Sequence, residues 1–478
     1  MHASPTPAAL PAQSLIHPHI PLWVAVVIAC VASFMVVMDG AIVNVALPAM
    51  QADLGLSKVQ QQWVVDAYLL CLGGCMLLAA RASDLYGRKR ILQSGLLVFT
   101  AASLAGGLAS TPAALLIARA IQGFGASALA TSTLAVIVAV YPGGPAKARA
   151  ISLWAASSAI ASALGVLIGG LLTEKFGWRW VMFVNVPIGC ALIAGVALCM
   201  QARDAGNPPA RLDVWGALSI TLGTAALLFG ITQAVTLGWG SPTVLVALAS
   251  AWLLILGFIW IQAKTKHALI PLSIFQLHSV RIGNVVVLAL GAALTASTFF
   301  LSIVLQQILS YSPLDTGLAL LPMGTTLAIA AIVSRPLMEG GFRRLPFLGG
   351  LISAAGLAWL SRLPLQPNYL NDILGPTLLT GLGLGLMLMT SAHTALAGVP
   401  AKLAGLASGL FNTSRQLGAA LGVASLSTLA HSITEANSLT QAAMPAQLLG
   451  YQGAFLGTAA LCILAALSSL SLKIKPEN

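Results

Sequence analysis

The sequence predicts an all-α integral membrane protein, a bundle of about fourteen transmembrane helices in two six-helix halves with two further helices inserted between them. Three observations carry that prediction. The 478-residue chain is 58% hydrophobic and 7% charged, against about 25% charged residues in a soluble domain. Its apolar residues gather into runs of roughly 18 to 25, the length a helix needs to cross the hydrocarbon. Its Lys and Arg are unevenly shared between alternate loops.

Residues 1–20 are rich in Pro, Ala and His, carry no Lys or Arg and read as a disordered cytoplasmic tail. A secretory signal has a basic start and a short apolar core, so no cleavage is expected. The first half, residues 21–201, is expected to hold spans near 22–48, 62–80, 91–110, 113–140, 147–172 and 178–201. Residues 202–269 supply the inserted pair near 213–234 and 243–263. Residues 270–478 form the second half, near 282–309, 314–338, 344–363, 370–396, 403–431 and 450–472, with a short cytoplasmic tail. On this layout only Lys58, Lys175, Arg179 and Arg362 fall on one side. Arg119 and Arg415 lie within spans, and the remaining cations share the other side. The positive-inside rule then places both termini in the cytoplasm. The formal net charge of +11 is thereby topological, and no nucleic-acid partner is expected.

The two halves echo each other. Asp84-Leu-Tyr-Gly87-Arg88-Lys89 in one loop is matched by Glu339-Gly-Gly-Phe-Arg343-Arg344 in the corresponding loop. Gly123-Phe-Gly125 is matched by Gly381-Leu-Gly383-Leu-Gly385, and the pair Gly165 and Gly169 by Gly418 and Gly422. The last two pairs have the spacing that lets helices approach closely. Duplicated halves around a midplane site are the build of many secondary transporters, which rock one half against the other.

Asp39 is the residue the sequence makes most conspicuous. An ionised Asp at the centre of a span costs about 2.5 to 3.5 kcal/mol, so such residues usually face a bundle interior or a wet cavity. Asp39 is expected either to reach an aqueous vestibule shared by the two halves or to hydrogen-bond a neighbouring helix. Asp66 lies about one turn into the second span, where it either shares a proton with Asp39 or is solvated at the helix mouth. Arg119 stays charged and needs acceptors, either a nearby carboxylate or backbone carbonyls with Gln122. The six Cys sit in apolar runs and read as small hydrophobes, forming neither disulfides nor a metal site. No clustered nucleophile, base and metal set suggests an enzyme. No G-x-x-x-x-G-K-[ST] loop suggests nucleotide chemistry, so an ion gradient is expected as energy source, with no cofactor.

The stretch Ala80-Arg-Ala-Ser-Asp84-Leu-Tyr-Gly87-Arg88-Lys89-Arg-Ile-Leu92 resembles the signature loop of the major facilitator superfamily, with Ala80 and Ala82 where the family has Gly and Leu. The resemblance implies a conformational latch at Asp84, Gly87, Arg88 and Lys89. It extends over Met38 to Pro48, Trp63-Val-Val-Asp-Ala-Tyr68, Arg119 to Gly125, Trp178 to Pro187 and Asn412-Thr-Ser-Arg-Gln-Leu-Gly418. These look like the set of the fourteen-helix drug:proton antiporter subgroup. The helix Ala159 to Gly170 is similar to the subgroup's antiporter motif through Gly165, Gly169 and Gly170, with Val166 in place of its Pro.

The resemblance implies proton-coupled export of small lipophilic drugs or antiseptics, cationic ones among the candidates, from a bacterial inner or cytoplasmic membrane by alternating access. Asp39, Asp66 and Arg119 would couple protons, and a monomer is expected to suffice. Candidate cavity residues are Asn44, Gln122, Gln306, Gln307, Asn412 and Arg415. A transporter for a specific metabolite, a nontransporting sensor and a membrane enzyme are the alternatives.

Overall fold

The computed structural model describes residues 17, 19–141, 144–201, 212–265, 268–339, 342, 344–396, 399, 404–438 and 442–471. The first half comprises α1 (Trp23–Leu54), α2 (Lys58–Tyr86), α3 (Arg88–Gly107), α4 (Pro112–Val140), α5 (Gly144–Phe176) and a segment divided into α6 (Arg179–Phe183) and α7 (Asn185–Cys199). The inserted pair is α8 (Val214–Leu237) and α9 (Pro242–Lys264). The second half comprises α10 (His278–Gln307), α11 (Pro313–Glu339), α12 (Leu345–Leu360), α13 (Gly375–Leu396), α14 (Ala404–Ser438) and α15 (Ala443–Ser469).

Among the described residues twelve helices are long and apolar enough to cross a membrane, fewer than the roughly fourteen expected from hydropathy. The difference lies at α3 and α12. The first of these opens on Arg88-Lys89-Arg90. The second has only 16 residues, about 24 Å of helix at 1.5 Å per residue.

Local chemistry explains the boundaries. Ser57 and Gln60 form a reciprocal capping box at the start of α2, satisfying two otherwise orphan amides. Thr111 caps α4 with Pro112 in its first turn, where a missing N–H costs nothing. The end of α1 was expected at Pro48, yet the helix continues to Leu54 and stops at Gly55, whose φ is 63°. Pro48 has no N–H, so it frees the Asn44 carbonyl four residues back. The Ser302 hydroxyl of α10 donates to that carbonyl at 3.0 Å, and Gln306 Nε2 donates to the neighbouring Val45 carbonyl at 3.0 Å. A defect in one half is thus satisfied by the other.

The helix pairings repeat in the same order in both halves. In the first, α1 packs on α5, and α2 and α3 on α4; in the second, α10 packs on α14, and α11 and α12 on α13. The matched glycines sit at corresponding contacts. Gly165 and Gly169 lie against Met38 and Ile42 of α1, while Gly418 and Gly422 lie against Leu288 and Ala292 of α10. The halves meet along α5 with α11 and along α2 with α14, and α8 packs against both helices of the second seam.

Gly170 belongs to a seam between the halves. A Cβ there would stand 2.8 Å from Leu314 Cα and 2.9 Å from the Pro313 carbonyl carbon. Gly170→Val is therefore expected to fold, since each half keeps its own contacts, but to lose more than about tenfold in transport, the equivalent of 1.4 kcal/mol against seam closure. Size-exclusion profiles alongside vesicle flux check this; a variant with normal flux contradicts it.

In the α2–α3 turn Gly87 adopts φ 97°, a conformation that favours Gly. Lys89 Nζ donates to the carbonyls of Ala197 and Met200 at the end of α7, where a cation also complements the helix dipole. The side chains of Asp84 and Glu339, and Arg343 itself, lie outside the described residues, as do residues 1–16.

Candidate functional site

Four elements of the first half converge on Asp39, which is fully buried. Arg119 Nη1 of α4 donates to Asp39 Oδ2 at 2.6 Å. Gln122 Nε2 of the same helix and Asn185 Nδ2 of α7 donate to Asp39 Oδ1 at 2.8 and 2.7 Å. The same two amides also donate to Ser103 Oγ of α3, at 2.7 and 3.1 Å. Arg119 is otherwise satisfied by Gln122 Oε1 at 2.7 Å and the Val64 carbonyl at 3.0 Å. Its guanidinium carbon lies 4.2 Å from the Tyr68 ring centroid, a cation–π distance, and Tyr68 in turn donates to the Val36 carbonyl.

The carboxylate is fully matched, although the Asn185 Oδ1 beside it is buried without a partner among the described residues. Both acceptor oxygens of Asp39 are used, and every partner belongs to the first half. Asp39 therefore does not open onto a vestibule between the halves in this conformation, because its side chain and that of Arg119 are at most 1% exposed. Such a pair tolerates burial only when its remaining donors and acceptors are matched. Arg119 and Gln122 were legible as candidates. Asn185 stands within the Trp178 to Pro187 stretch, but its place at a helix start gave no sign of a role in this network. Tyr68 ends the Trp63 to Tyr68 stretch, which gave it no role of its own, and Ser103 had no signal beyond being polar in an apolar run.

Asp66 is different. It is fully buried and, among the described residues, accepts one hydrogen bond, from Gln62 Nε2 at 2.8 Å, while its Oδ1 has no partner there. The neighbouring Gln61 Nε2 is also buried and unpartnered. Asp66 precedes Gly73 and Leu77 by close to whole numbers of turns and so shares their face of α2. Gly73 lies against Gln416 and Gly409 against Leu77, which turns that face toward α14 of the other half.

The remaining candidates divide. Asn44 Nδ2 donates to the Gly40 carbonyl, and its Oδ1 is buried without a partner among the described residues. Gln306 belongs to the α1–α10 seam, whereas Gln307 Oε1 accepts from Tyr451 and ties α10 to α15. Asn412 donates to the Ser408 carbonyl. Arg415 is half-buried and makes no hydrogen bond or ion pair among the described residues. Also among the described residues, no cluster of three metal-ligating side chains occurs.

This arrangement of two repeated bundles matches known proteins. Residues 29–423 match the family model described as Major Facilitator Superfamily. The chain is 38% identical over 89% of its length, and 85% of the relative's, to the puromycin resistance protein pur8 of Streptomyces alboniger. It is 38% identical over 91% of its length, and 89% of the relative's, to the cephamycin export protein CmcT of Amycolatopsis lactamdurans. Among solved structures, the peptide transporter POT in complex with sulfate superposes with a TM-score of 0.68 at 14% identity, covering 94% of each chain; this shows the fold alone. With its many apolar helices and these relatives, the chain belongs to the Major Facilitator Superfamily, as a multi-span membrane transporter rather than an enzyme.

Proposed function

We propose that this protein is a proton-coupled exporter of drug-like amphipathic compounds, working as an antiporter by alternating access. Relatives named for puromycin resistance and cephamycin export support the direction and the substrate type. The observation that carries the coupling is Asp66, a buried carboxylate with an unused oxygen on the α2 face turned toward the other half. A group at a moving seam can change its access to water as the halves rock, which a carrier of protons requires. Asp39 and Arg119 serve that cycle as a fixed, internally neutral pivot holding α1, α3, α4 and α7 together.

In this reading α3 and α12 also cross the membrane, giving the fourteen spans of the drug:proton antiporter subgroup. Both pack on bundle helices along one face, α3 against α4 and α7, α12 against α13 and α15, and expose apolar side chains such as Leu97 and Trp359 on the other. The termini are cytoplasmic, so the α1–α10 seam and the contact of Gly170 with α11 both lie on the outer side. Lys89 locks the inner ends of α3 and α7 as part of the latch.

Everted vesicles loaded with a pH-sensitive dye provide the test. Added substrate should accumulate and release protons from the lumen in the same experiment. Accumulation without proton movement would sink the coupling, and binding without accumulation would identify a sensor. An active extracytoplasmic reporter at either terminus would overturn the orientation.

A further inference from the structure

We infer that Arg415 and the polar turn around it form an anion-accepting subsite, so that the compounds carried include lipophilic molecules with an ionised acid group. The inference deepens the exporter reading and rests on it. Residues Asn412-Thr-Ser-Arg-Gln416 are five consecutive polar residues inside the α14 span. Five residues exceed a full helical turn, so this turn points polar groups in every direction and has no lipid-compatible side. A guanidinium stays charged at any physiological pH, and an intramembrane charge requires a partner or water.

The contrast with the first half is direct. Arg119 meets a carboxylate, an amide oxygen, a carbonyl and a ring. Arg415 meets no acceptor among the described residues, yet keeps part of its surface accessible. Its neighbours are anchored: Ser414 donates to Asn284 Oδ1 of α10 at 2.7 Å, and Asn284 donates to the Val280 carbonyl. Buried Thr413 Oγ1 is a further polar atom without a partner among the described residues. The turn is thus held in place while its cation is left unneutralised.

Duplication supplies a control. Aligning Gly418 with Gly165, which occupy matching contacts against α10 and α1, places Ala159-Ile-Ala-Ser-Ala163 of α5 opposite Asn412 to Gln416. Ser162 stands where α14 has Arg415. The scaffold works with an almost wholly apolar turn at this position, so the polar one is not demanded by packing. What it adds is a fixed positive charge with donors beside it, the requirement for a carboxylate, sulfonate or phenolate.

The test uses two probes with one apolar body and opposite charge, 1-pyrenebutyrate and 1-pyrenebutylamine. Binding to the full-length protein in nanodiscs is read against empty nanodiscs, and accumulation is read in everted vesicles. A hydrogen-bonded charged contact contributes about 1.5 to 3 kcal/mol, which is about 10- to 150-fold in affinity. Arg415→Gln should weaken the acid by that factor and leave the amine within about twofold, while Arg415→Lys should restore part of the acid's binding. Equal losses for both probes, or a fall in thermal stability that Arg415→Lys does not repair, would make Arg415 a structural residue and overturn the inference. Amine accumulation without acid binding would overturn it while leaving export standing. If neither probe accumulates, the export reading fails, and the binding arm alone still decides the subsite. A loss of pH response in Arg415→Gln with the acid-to-amine ratio unchanged would assign Arg415 to the Asp66 proton site instead.

Discussion

Replacing Asp39 with Ala is expected to destabilise the folded protein by about 3 to 5 kcal/mol, the cost of leaving one partner of a buried pair charged and alone. Arg119 cannot lose its proton, and its side chain is only 1% exposed, so neither neutralisation nor hydration can relieve it. Gln122 and Asn185 would also lose the carboxylate they share. The double variant Asp39→Ala/Arg119→Met removes both charges and should recover a good part of the loss, since apolar replacement of a whole buried pair is often close to neutral. Asp39→Asn should fall between, retaining one oxygen as an acceptor. Thermal unfolding of the wild type, Asp39→Ala, Arg119→Met and the double variant in one detergent measures this as a double-mutant cycle, with Asp39→Asn run beside them. If the single and double variants lose the same stability, the pair is not the closed unit the geometry describes. Transport would fall in Asp39→Ala as well, but as a consequence of the disturbed pivot, so flux alone does not identify Asp39 as a proton carrier.

Asp66→Asn is expected to behave in the opposite way, keeping stability and losing coupling. The amide is nearly isosteric, can still accept from Gln62, and resembles the carboxyl in its protonated, neutral form. A gradient of one pH unit is worth about 1.4 kcal/mol per proton, enough for about tenfold accumulation per proton exchanged. The wild-type protein should show that pH-driven accumulation and the variant should show none, while still equilibrating substrate down its own gradient. Release of protons on substrate addition should drop to background. Retention of pH-driven accumulation in Asp66→Asn would remove Asp66 from the proton path and leave the coupling group to be found elsewhere.

The two carboxylates were much less distinct in the sequence. Both appear as acids in apolar helices, and the larger insertion penalty at mid-span made Asp39 the more conspicuous. Hydropathy prices a charge as though it were alone, whereas the cost actually borne depends on what faces it. Asp39 is held by a guanidinium and two amides from α4 and α7, separated from it by 80 residues and more along the chain. Asp66 accepts from one residue of its own helix, and its other oxygen has no partner among the described residues. The Gln306 and Gln307 pair divides for a similar reason: adjacent residues on a helix point about 100° apart, so one meets α1 and the other α15.

The sequence by itself determined that the chain is a membrane-embedded bundle and that its halves repeat, and it marked the glycines of the close helix contacts. Those properties follow from run length, charge placement and residue size, which are local and additive along the chain. The tertiary structure alone decided that Asp39 is matched and Asp66 and Arg415 are not. It also decided that the carbonyl freed by Pro48 is met by Ser302 of the opposite half. Electrostatic and hydrogen-bond satisfaction are properties of pairs brought together from distant segments, and composition or periodicity within one helix carries no record of the partner.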